Sequence, residues 1–262
     1  FIAIQENISM STPILDTMLK RRSLRKYTAE QPTDEVIEAV VRAGQQAPFA
    51  SQLYSVILSR KKKNPFGAPL LFTICADLYK LERFMAIRGW KVVTNDLSLL
   101  MFGIQDAAYM AENMVIAAES LGMGSCFLGA APFHASKIAK RYKLPKRVLP
   151  IVQLVMGYPA EDYPPRPRYP LSFTLFEDEY PEMTDEQVAE AMAAMDEGYL
   201  AQGYYRKQKI MLPLEGGREE TFTHDNYSWT EHISRKWGQW YPSPAELLEQ
   251  LKERGFEIMK EE

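Results

Sequence analysis

Apolar residues recur at helical spacing in several segments of the chain. The first helix is predicted over Ile14–Arg22, where apolar side chains at positions 14, 15, 18 and 19 share one stripe. A second helix is predicted to begin near Thr33, a suitable N-cap, and to end near Gly44. The same spacing predicts further helices over Ala135–Tyr142, Asp185–Tyr199 and Ala245–Arg254.

The segment Ile104–Leu121 carries small and apolar residues over more than one face. A helix that is apolar around so much of its circumference is either deeply buried or lies at a subunit interface. The pattern therefore predicts a helix at the centre of the fold or in a contact between two copies of the chain.

Short runs rich in β-forming residues separate these helices. Strands are predicted at Val56–Ser59, Leu70–Cys75, Ser125–Gly129, Ile151–Gly157 and Leu171–Leu175. Helices and strands do not alternate as regular βαβ units, which favours an α+β fold over a doubly wound parallel sheet.

Composition narrows the class of protein. The 262 residues are 46% hydrophobic and 25% charged, which is ordinary for a globular protein that folds in water. With 31 Lys and Arg against 34 Asp and Glu, the net charge is −3. A nucleic-acid-binding protein usually has a basic excess, so nucleic acid is not expected as the partner.

The sequence also indicates a cellular compartment. No apolar stretch approaches the roughly 18 residues of a membrane span, and Phe1–Ser9 lacks the positively charged start of a secretory signal. Cys75 and Cys126 lie inside apolar runs and form no CxxC pair, as expected for buried thiols in a reducing compartment. A cytoplasmic protein without a membrane partner is predicted.

Most catalytic signatures are missing. His134, His224 and His232 stand in no metal-binding pattern, so no metal site is predicted. Neither a GxSxG elbow nor a P-loop is present. Gly122 and Gly124 close a predicted helix, whereas dinucleotide-binding glycines open one. The sequence identifies no catalytic side chain.

Two arginine clusters could bind an anion. Arg21, Arg22, Ser23 and Arg25 lie where the first predicted helix gives way to an extended segment. Guanidinium groups bind phosphate through paired hydrogen bonds and keep their charge when partly buried. Arg166 and Arg168 flank a proline in a second, stiffened stretch. Either cluster could instead be a solvated surface.

A polar segment follows the second predicted helix. It runs from Gln45 to Gln52 and offers amide and hydroxyl groups that could bind the polar edge of a ring through paired hydrogen bonds. A turn with helix-capping side chains explains the same residues equally well.

Taken in order, these segments resemble the nitroreductase family of FMN-dependent oxidoreductases, from about Ile14 to Pro170. The matching motifs are Arg21–Tyr27 (RRSLRKY), Ala47–Gln52 (APFASQ, usually APSAGN), Asp106–Gly129, and the Gly157–Pro159 turn with Arg166 and Arg168. Gln52 replaces the usual asparagine, and Phe49 replaces a small polar residue. More weakly, Tyr227–Trp237 and Leu247–Phe256 resemble the C-terminal extension of the larger NADPH-dependent members.

The resemblance implies a fold and a set of cofactor-binding residues. The fold would be a mostly antiparallel central sheet flanked by helices, in an intertwined homodimer. Residues 10–176 would form the FMN-binding core, and residues 177–262 an extension packed on the core or on the partner subunit. The implied FMN contacts are Arg21, Arg22, Ser23, Arg25, Arg166 and Arg168 for the phosphate and ribityl chain, Ser51 and Gln52 for the pyrimidine edge, and Leu128 and Gly129 beside the ring.

The resemblance also implies a reaction. NADPH or NADH would supply a hydride and leave the site. An oxidised acceptor such as a nitroaromatic, a quinone or a flavin would then bind in place of the nucleotide, which gives ping-pong kinetics. Arg206, Lys207 and Lys209 are candidates for the 2′-phosphate of NADPH. Two alternatives remain: a flavin reductase that supplies reduced FMN to a partner, and a flavin-binding module for storage or sensing without turnover.

Overall fold

The protein is described here from a computed structural model, which covers residues 11–60, 63–239 and 243–258. The chain forms two compact units: the larger contains Thr12–Tyr163 and also 243–258, and the smaller contains 164–239. The chain leaves the larger unit at Pro164 and later rejoins it, and the expected boundary between residues 176 and 177 stays a prediction. The interpretation of Phe1–Ser9 falls outside the described residues.

An antiparallel sheet forms the centre of the larger unit. Its strands are β1 (Tyr54–Ser59), β2 (Leu70–Asp77), β3 (Gly124–Leu128) and β4 (Val148–Gly157), and their order in the sheet is β1-β2-β4-β3. All three neighbouring pairs are antiparallel. The predicted α+β class and the antiparallel sheet are therefore confirmed.

The described helices follow the sequence prediction in most places. In chain order they are α1 (Pro13–Lys20), α2 (Asp34–Gln45), α3 (Tyr79–Ile87), α4 (Asp96–Ser120), α5 (Ala135–Tyr142), α6 (Asp185–Gln202), α7 (Tyr204–Gln208), α8 (Trp229–Gln239) and α9 (Pro244–Glu253). None of these described helices combines the length and the hydropathy needed to cross a bilayer.

Helix α4 is the main support of the sheet. One of its faces packs on the sheet and on α2, where Met110 and Met114 are fully buried together with Phe72 and Leu154. The approach of α2 is so close that a Cβ atom added to Gly44 would lie 2.6 Å from Cγ of Met114. Burial of α4 was predicted, and its sheet-facing side is confirmed as core.

Two predicted elements need correction. Leu171–Leu175 is not a strand: Leu171–Phe173 forms a short 3-10 turn, whose hydrogen bonds are satisfied locally. Leu171 and Leu175 are 57% and 66% exposed, so no buried sheet face selects an extended backbone there. Helix α4 begins at Asp96, not Ile104, because the Asn95 side chain accepts the N–H of Ser98 and caps it.

The C-terminal residues of the described chain complete the larger unit. Phe256 is 2% exposed and packs in one cluster with Leu78, Leu149 and Leu251. Arg147 donates two hydrogen bonds to the Asp96 carboxylate and one, of 2.8 Å, to the carbonyl of Gly255. The segment after residue 243 is thus joined to the core by both apolar and polar contacts.

The smaller unit has its own core. Tyr205 and Tyr227 are buried there with Met195, and their rings lie edge to face. Arg235 is 3% exposed, and its guanidinium donates to both oxygens of Glu220 and to the Leu212 carbonyl. These charge-assisted bonds hold the loop after α7 against α8.

Candidate active site

The first arginine cluster lies on an extended segment held against the sheet. Helix α1 ends at Lys20, two residues earlier than predicted, and Arg21 already has an extended ψ of 136°. Leu24 donates its N–H to the Ser125 carbonyl at 2.8 Å, and the Tyr163 hydroxyl donates to the Ser23 carbonyl. The side chains of Arg21, Arg22 and Arg25 are therefore presented from a fixed backbone.

The turn after β4 holds the other side of this segment. The Glu161 carboxylate accepts the N–H groups of Arg25 and Lys26, at 2.5 and 3.0 Å. A Cβ atom at Gly157 would lie 2.5 Å from Cδ of Pro69, so only glycine fits in that turn. The predicted Gly157–Pro159 turn and the predicted Arg21–Tyr27 segment are thus brought together.

Two guanidinium nitrogens in the cluster have no hydrogen-bond partner among the described residues. Nη1 of Arg21 and Nε of Arg22 are buried, and neither has a hydrogen-bond acceptor within the described residues. Nη2 of Arg22 is held 2.5 Å from Oδ1 of Asp162. Because buried donors are nearly always satisfied, unpartnered ones indicate a ligand or water that completes them. A phosphate group supplies acceptors of this kind.

A carboxyl group lies near the same arginines. Glu119, on α4, is half-buried, and burial raises its pKa to about 7, although the charges of Arg21 and Arg22 lower it. Its Oε1 atom has no hydrogen-bond partner in the part of the chain described. The positive charge of the cluster therefore depends on the ionisation of Glu119.

The polar segment before β1 is organised by one buried acid. Asp106, on α4, is 1% exposed; Oδ1 accepts the N–H of Ala50 at 2.6 Å, and Oδ2 accepts those of Ser51 and Leu53 at 3.1 and 2.9 Å. Within this turn Gln52 has a φ of 53°, in the left-handed region. Among the N–H groups of residues 50–53, that of Gln52 is the one that does not donate to Asp106. The side chains of Ser51 and Gln52 are exposed.

Leu128 and Gly129 lie at the end of β3. Leu128 is half-buried and Gly129 is exposed. A Cβ atom added to Gly129 would meet no atom of residues 11–60, 63–239 or 243–258 within 4 Å, so these residues leave open space over the backbone there. A flat ligand could approach the main chain closely here.

The second arginine cluster belongs to the smaller unit. Arg166 donates to Oε1 of Gln202 at 2.7 Å, and its guanidinium lies 4.1 Å from the centre of the Tyr204 ring. Arg168 is exposed and donates to the carbonyls of Arg166 and Pro167. Helix α7 carries Arg206, which lies 3.6 Å from Asp225, and Lys207, whose ammonium donates to the Gln202 carbonyl.

Sequence reasoning missed the two acids of α4 as parts of the site. Asp106 lies on the buried face of the helix between Gly103 and Ala107, and Glu119 follows Ala118, which is also buried. An acidic residue in or beside a buried helical face requires donors nearby. The presence of acidic residues in or beside an apolar helical face was therefore the sequence signal that could have identified Asp106 and Glu119.

Comparison with known proteins gives consistent results over nearly the whole chain. The family model described as nitroreductase family matches residues 18–64 and 58–158, together more than half of the chain. The model described as nitroreductase family, C-terminal domain, matches residues 166–259.

Individual relatives cover most of the chain. The chain is 29% identical over 259 residues to a Bacillus subtilis (strain 168) protein named FMN reductase (NADPH), covering 92% of this chain and 97% of the relative. It is 27% identical over 207 residues to the oxygen-insensitive NADPH nitroreductase of Salmonella typhimurium, covering 73% and 85%. The solved structure of the NfrA1 nitroreductase from B. subtilis superposes with a TM-score of 0.76 at 27% identity, covering 93% and 98%.

Proposed function

This chain belongs to the nitroreductase family, and we propose that it is an FMN-dependent oxidoreductase that takes a hydride from NAD(P)H. The observation that carries the proposal is the pair of buried guanidinium nitrogens on Arg21 and Arg22 that find no hydrogen-bond acceptor in the described part of the chain. The names of the relatives, an FMN reductase (NADPH) and an NADPH nitroreductase, support the cofactor and the donor.

The first arginine cluster fits the phosphate of FMN. Arg21 and Arg22 offer buried donors that a phosphate oxygen would satisfy, and such charge-assisted bonds are short and strong. Arg25 and Ser23 lie on the same fixed segment and are assigned to the phosphate and the ribityl chain. The assignment of Arg166 and Arg168 to this phosphate remains a prediction of the sequence.

The turn before β1 is assigned to the pyrimidine edge of the ring. Since Asp106 already holds the N–H groups of Ala50, Ser51 and Leu53, those groups are not available to a ligand. The Ser51 hydroxyl, the Gln52 amide and the Gln52 N–H are therefore left to bind the ring. Leu128 and Gly129 would lie beside the ring, where the space over Gly129 admits it.

FMN, when bound, supplies the chemistry: it accepts a hydride from NAD(P)H and returns electrons to an oxidised acceptor. The residues of this chain bind and orient the reactants, and no side chain is assigned as a general acid or base. We infer that donor and acceptor occupy the same place in turn, which gives ping-pong kinetics.

Nitroaromatics, quinones and free flavins are the proposed acceptors. A reductase that releases reduced FMN to another protein is the second candidate, and the relative named FMN reductase (NADPH) favours it. The two differ in one measurement, because the second predicts high turnover with free flavin and little with nitro compounds.

The first test is spectroscopic. The purified protein is reconstituted with FMN, freed of unbound flavin, and treated anaerobically with NADPH or NADH. We expect the two visible bands of bound flavin to bleach rapidly with at least one of these donors. Bands that persist with both would leave only a binding module, and failure to retain any flavin would overturn the proposal.

The phosphate assignment is tested by Arg22→Ala. We expect FMN to bind about 10- to 100-fold more weakly, since a hydrogen bond to a charged group contributes about 1.5–3 kcal/mol. Fluorescence titration of FMN measures the affinity. The matched control is Arg42→Ala, because Arg42 is an exposed arginine whose ion pair among the described residues is with Glu38 on its own helix. Equal FMN affinity in both variants would refute the assignment.

A further inference from the structure

A cavity of 320 Å³ lies between α5 and the end of β3 in the larger unit. Its apolar wall includes Leu128, Ala131 and Ile138, and its polar wall includes His134, Lys137 and Arg141. We propose that this cavity binds a small aromatic anion, a flat apolar body that carries one carboxylate, sulfonate or phosphate group.

The basic side chains form a row because of their spacing. Lys137 and Arg141 are four residues apart, so they follow one another along the same side of α5, and His134 is the N-cap residue of that helix. Ile138, which is 9% exposed, lies on that side of the helix as well. The helix therefore offers an apolar surface directly beside a row of donors.

Within the described residues, no ion pair neutralises the positive charge of Lys137 and Arg141 at this cavity. Residues 134–147 contain six Lys and Arg and no Asp or Glu, in a chain whose net charge is −3. Arg147 is paired with Glu82 and Asp96. In contrast, Lys137 and Arg141 form no ion pair with any carboxylate of the described residues. An anion would supply that partner.

The apolar wall determines what else the ligand must carry. Ligand cavities of roughly 300–1,000 Å³ are typically apolar with a few polar groups that fix orientation. Gln153 adds an amide from β4, and its Nε2 atom already donates to Thr73 at 2.9 Å. A compact aromatic ring with one acidic group matches this combination, whereas a bare inorganic anion leaves the apolar wall uncovered.

The test uses naphthalene-2-sulfonate as the probe and calorimetry as the measurement, on the FMN-reconstituted protein. We expect saturable binding of one equivalent, and at least tenfold weaker binding of the uncharged analogue naphthalene-2-methanol. In the double variant Lys137→Gln, Arg141→Gln, we expect affinity for the sulfonate to fall at least tenfold.

The matched control is Lys140→Gln, Lys143→Gln. It removes the same charge from the same region, but both lysines line a different depression, beside Glu253. Its affinity for the sulfonate should stay within twofold of the unmodified protein. Equal losses in the two double variants would show that only net charge matters, and equal affinity in all three proteins would show that the probe binds elsewhere; both results overturn the proposal.

Leu128 is assigned both to this cavity and to the flavin site, so a second experiment must distinguish the two sites. Anion binding here needs no flavin, so the flavin-free protein should bind the sulfonate as well. Displacement of the probe by one equivalent of FMN would overturn the proposal of a separate site. FMN titration of the same variants tests the proposed function independently, since their flavin affinity should not change.

Discussion

Asp106 shows how one residue can set the shape of a binding turn. It is nearly fully buried, and both of its oxygens are used by backbone N–H groups of the segment before β1. A carboxylate accepts on both oxygens, whereas an amide accepts on one and donates from the other. Asp106 is therefore a positioning residue, because it acts on a ligand only through the turn that it holds.

We expect Asp106→Asn to weaken FMN binding at least tenfold, because the new NH2 group faces N–H donors and the turn around Gln52 loosens. The free energy of unfolding should fall by about 1–3 kcal/mol. Fluorescence titration and urea unfolding measure the two effects. Glu112→Gln, an exposed acid on the same helix, controls for loss of charge. An FMN affinity equal to that of the control would contradict the assigned role.

Glu119 predicts a dependence of stability on pH. Burial raises its folded-state pKa to about 7 from the ordinary 4.5, so the folded protein holds a proton that the unfolded chain has lost. The resulting stabilisation is fully present below pH 4.5 and disappears as the pH rises through 7. We expect Glu119→Gln to remove this dependence and, at pH 8, to be more stable by on the order of 1 kcal/mol, since solvent screens a half-buried group.

Urea unfolding of the flavin-free protein at pH 5.5 and pH 8 measures the effect. Glu30→Gln serves as the control, because Glu30 is exposed and its replacement should leave the pH dependence unchanged. A Glu119→Gln variant with the same pH dependence as the unmodified protein would disprove the prediction.

At the scale of elements, the packing of α2 on α4 depends on the absence of a side chain at Gly44. An added Cβ would lie 2.6 Å from Cγ of Met114 and 3.1 Å from the carbonyl oxygen of Met110. The Met110 oxygen belongs to the backbone, and Cγ of Met114 is only two bonds from the backbone. Neither atom can move away from an added methyl group without a shift of the helix. The apolar core beneath the sheet includes side chains from both α2 and α4, so it depends on this close packing of the two helices.

We expect Gly44→Ala to lower the free energy of unfolding by about 1–3 kcal/mol through overpacking. The matched substitution is Gly238→Ala in α8, where a Cβ would meet no atom of the described residues within 4 Å. There the better helix propensity of alanine should leave stability unchanged or raise it by up to about 1 kcal/mol. Thermal unfolding compares the two, and a stabilised Gly44→Ala variant would be the contrary result.

Elements with strong local signals could be predicted from the sequence. Thr33 caps α2 as expected, and α5 has the predicted bounds. Helix α3 was missed because its apolar side chains do not form a buried stripe: Phe84 and Ile87 are 51% and 81% exposed. Leu171–Leu175 was predicted as a strand from composition alone, which cannot show that no neighbouring strand pairs with it.

At the scale of the whole molecule, the site could be predicted only as separate segments. The sequence named Arg21–Tyr27 and the Gly157–Pro159 turn, and tertiary contacts place them side by side. No local pattern could show that Asp106 reaches the turn more than fifty residues earlier, since that pairing exists only after α4 has packed on the sheet. The division into two units could not be predicted either, because its second boundary lies where the chain rejoins the larger unit, which depends on tertiary contacts.

A homodimer is the expected assembly. The outer side of α4 exposes an apolar row at Leu97, Met101 and Ile104, which are 50%, 53% and 38% exposed. Contiguous apolar surface of this kind usually marks an interface. We expect sedimentation equilibrium to give twice the 30.1 kDa of the chain at micromolar concentration, and Met101→Lys, Ile104→Lys to shift it toward one chain. A monomer in the unmodified protein would contradict the expectation.

The return of the C-terminal segment to the larger unit affects the timing of folding during synthesis. Domains tend to fold as units while the chain emerges from the ribosome, beginning at the N-terminus. Here Leu251 and Phe256 complete the cluster around Leu78 and Leu149, and Gly255 supplies an acceptor for Arg147. The larger unit therefore begins to fold first, but its apolar cluster can be completed only after the smaller unit has been translated in full.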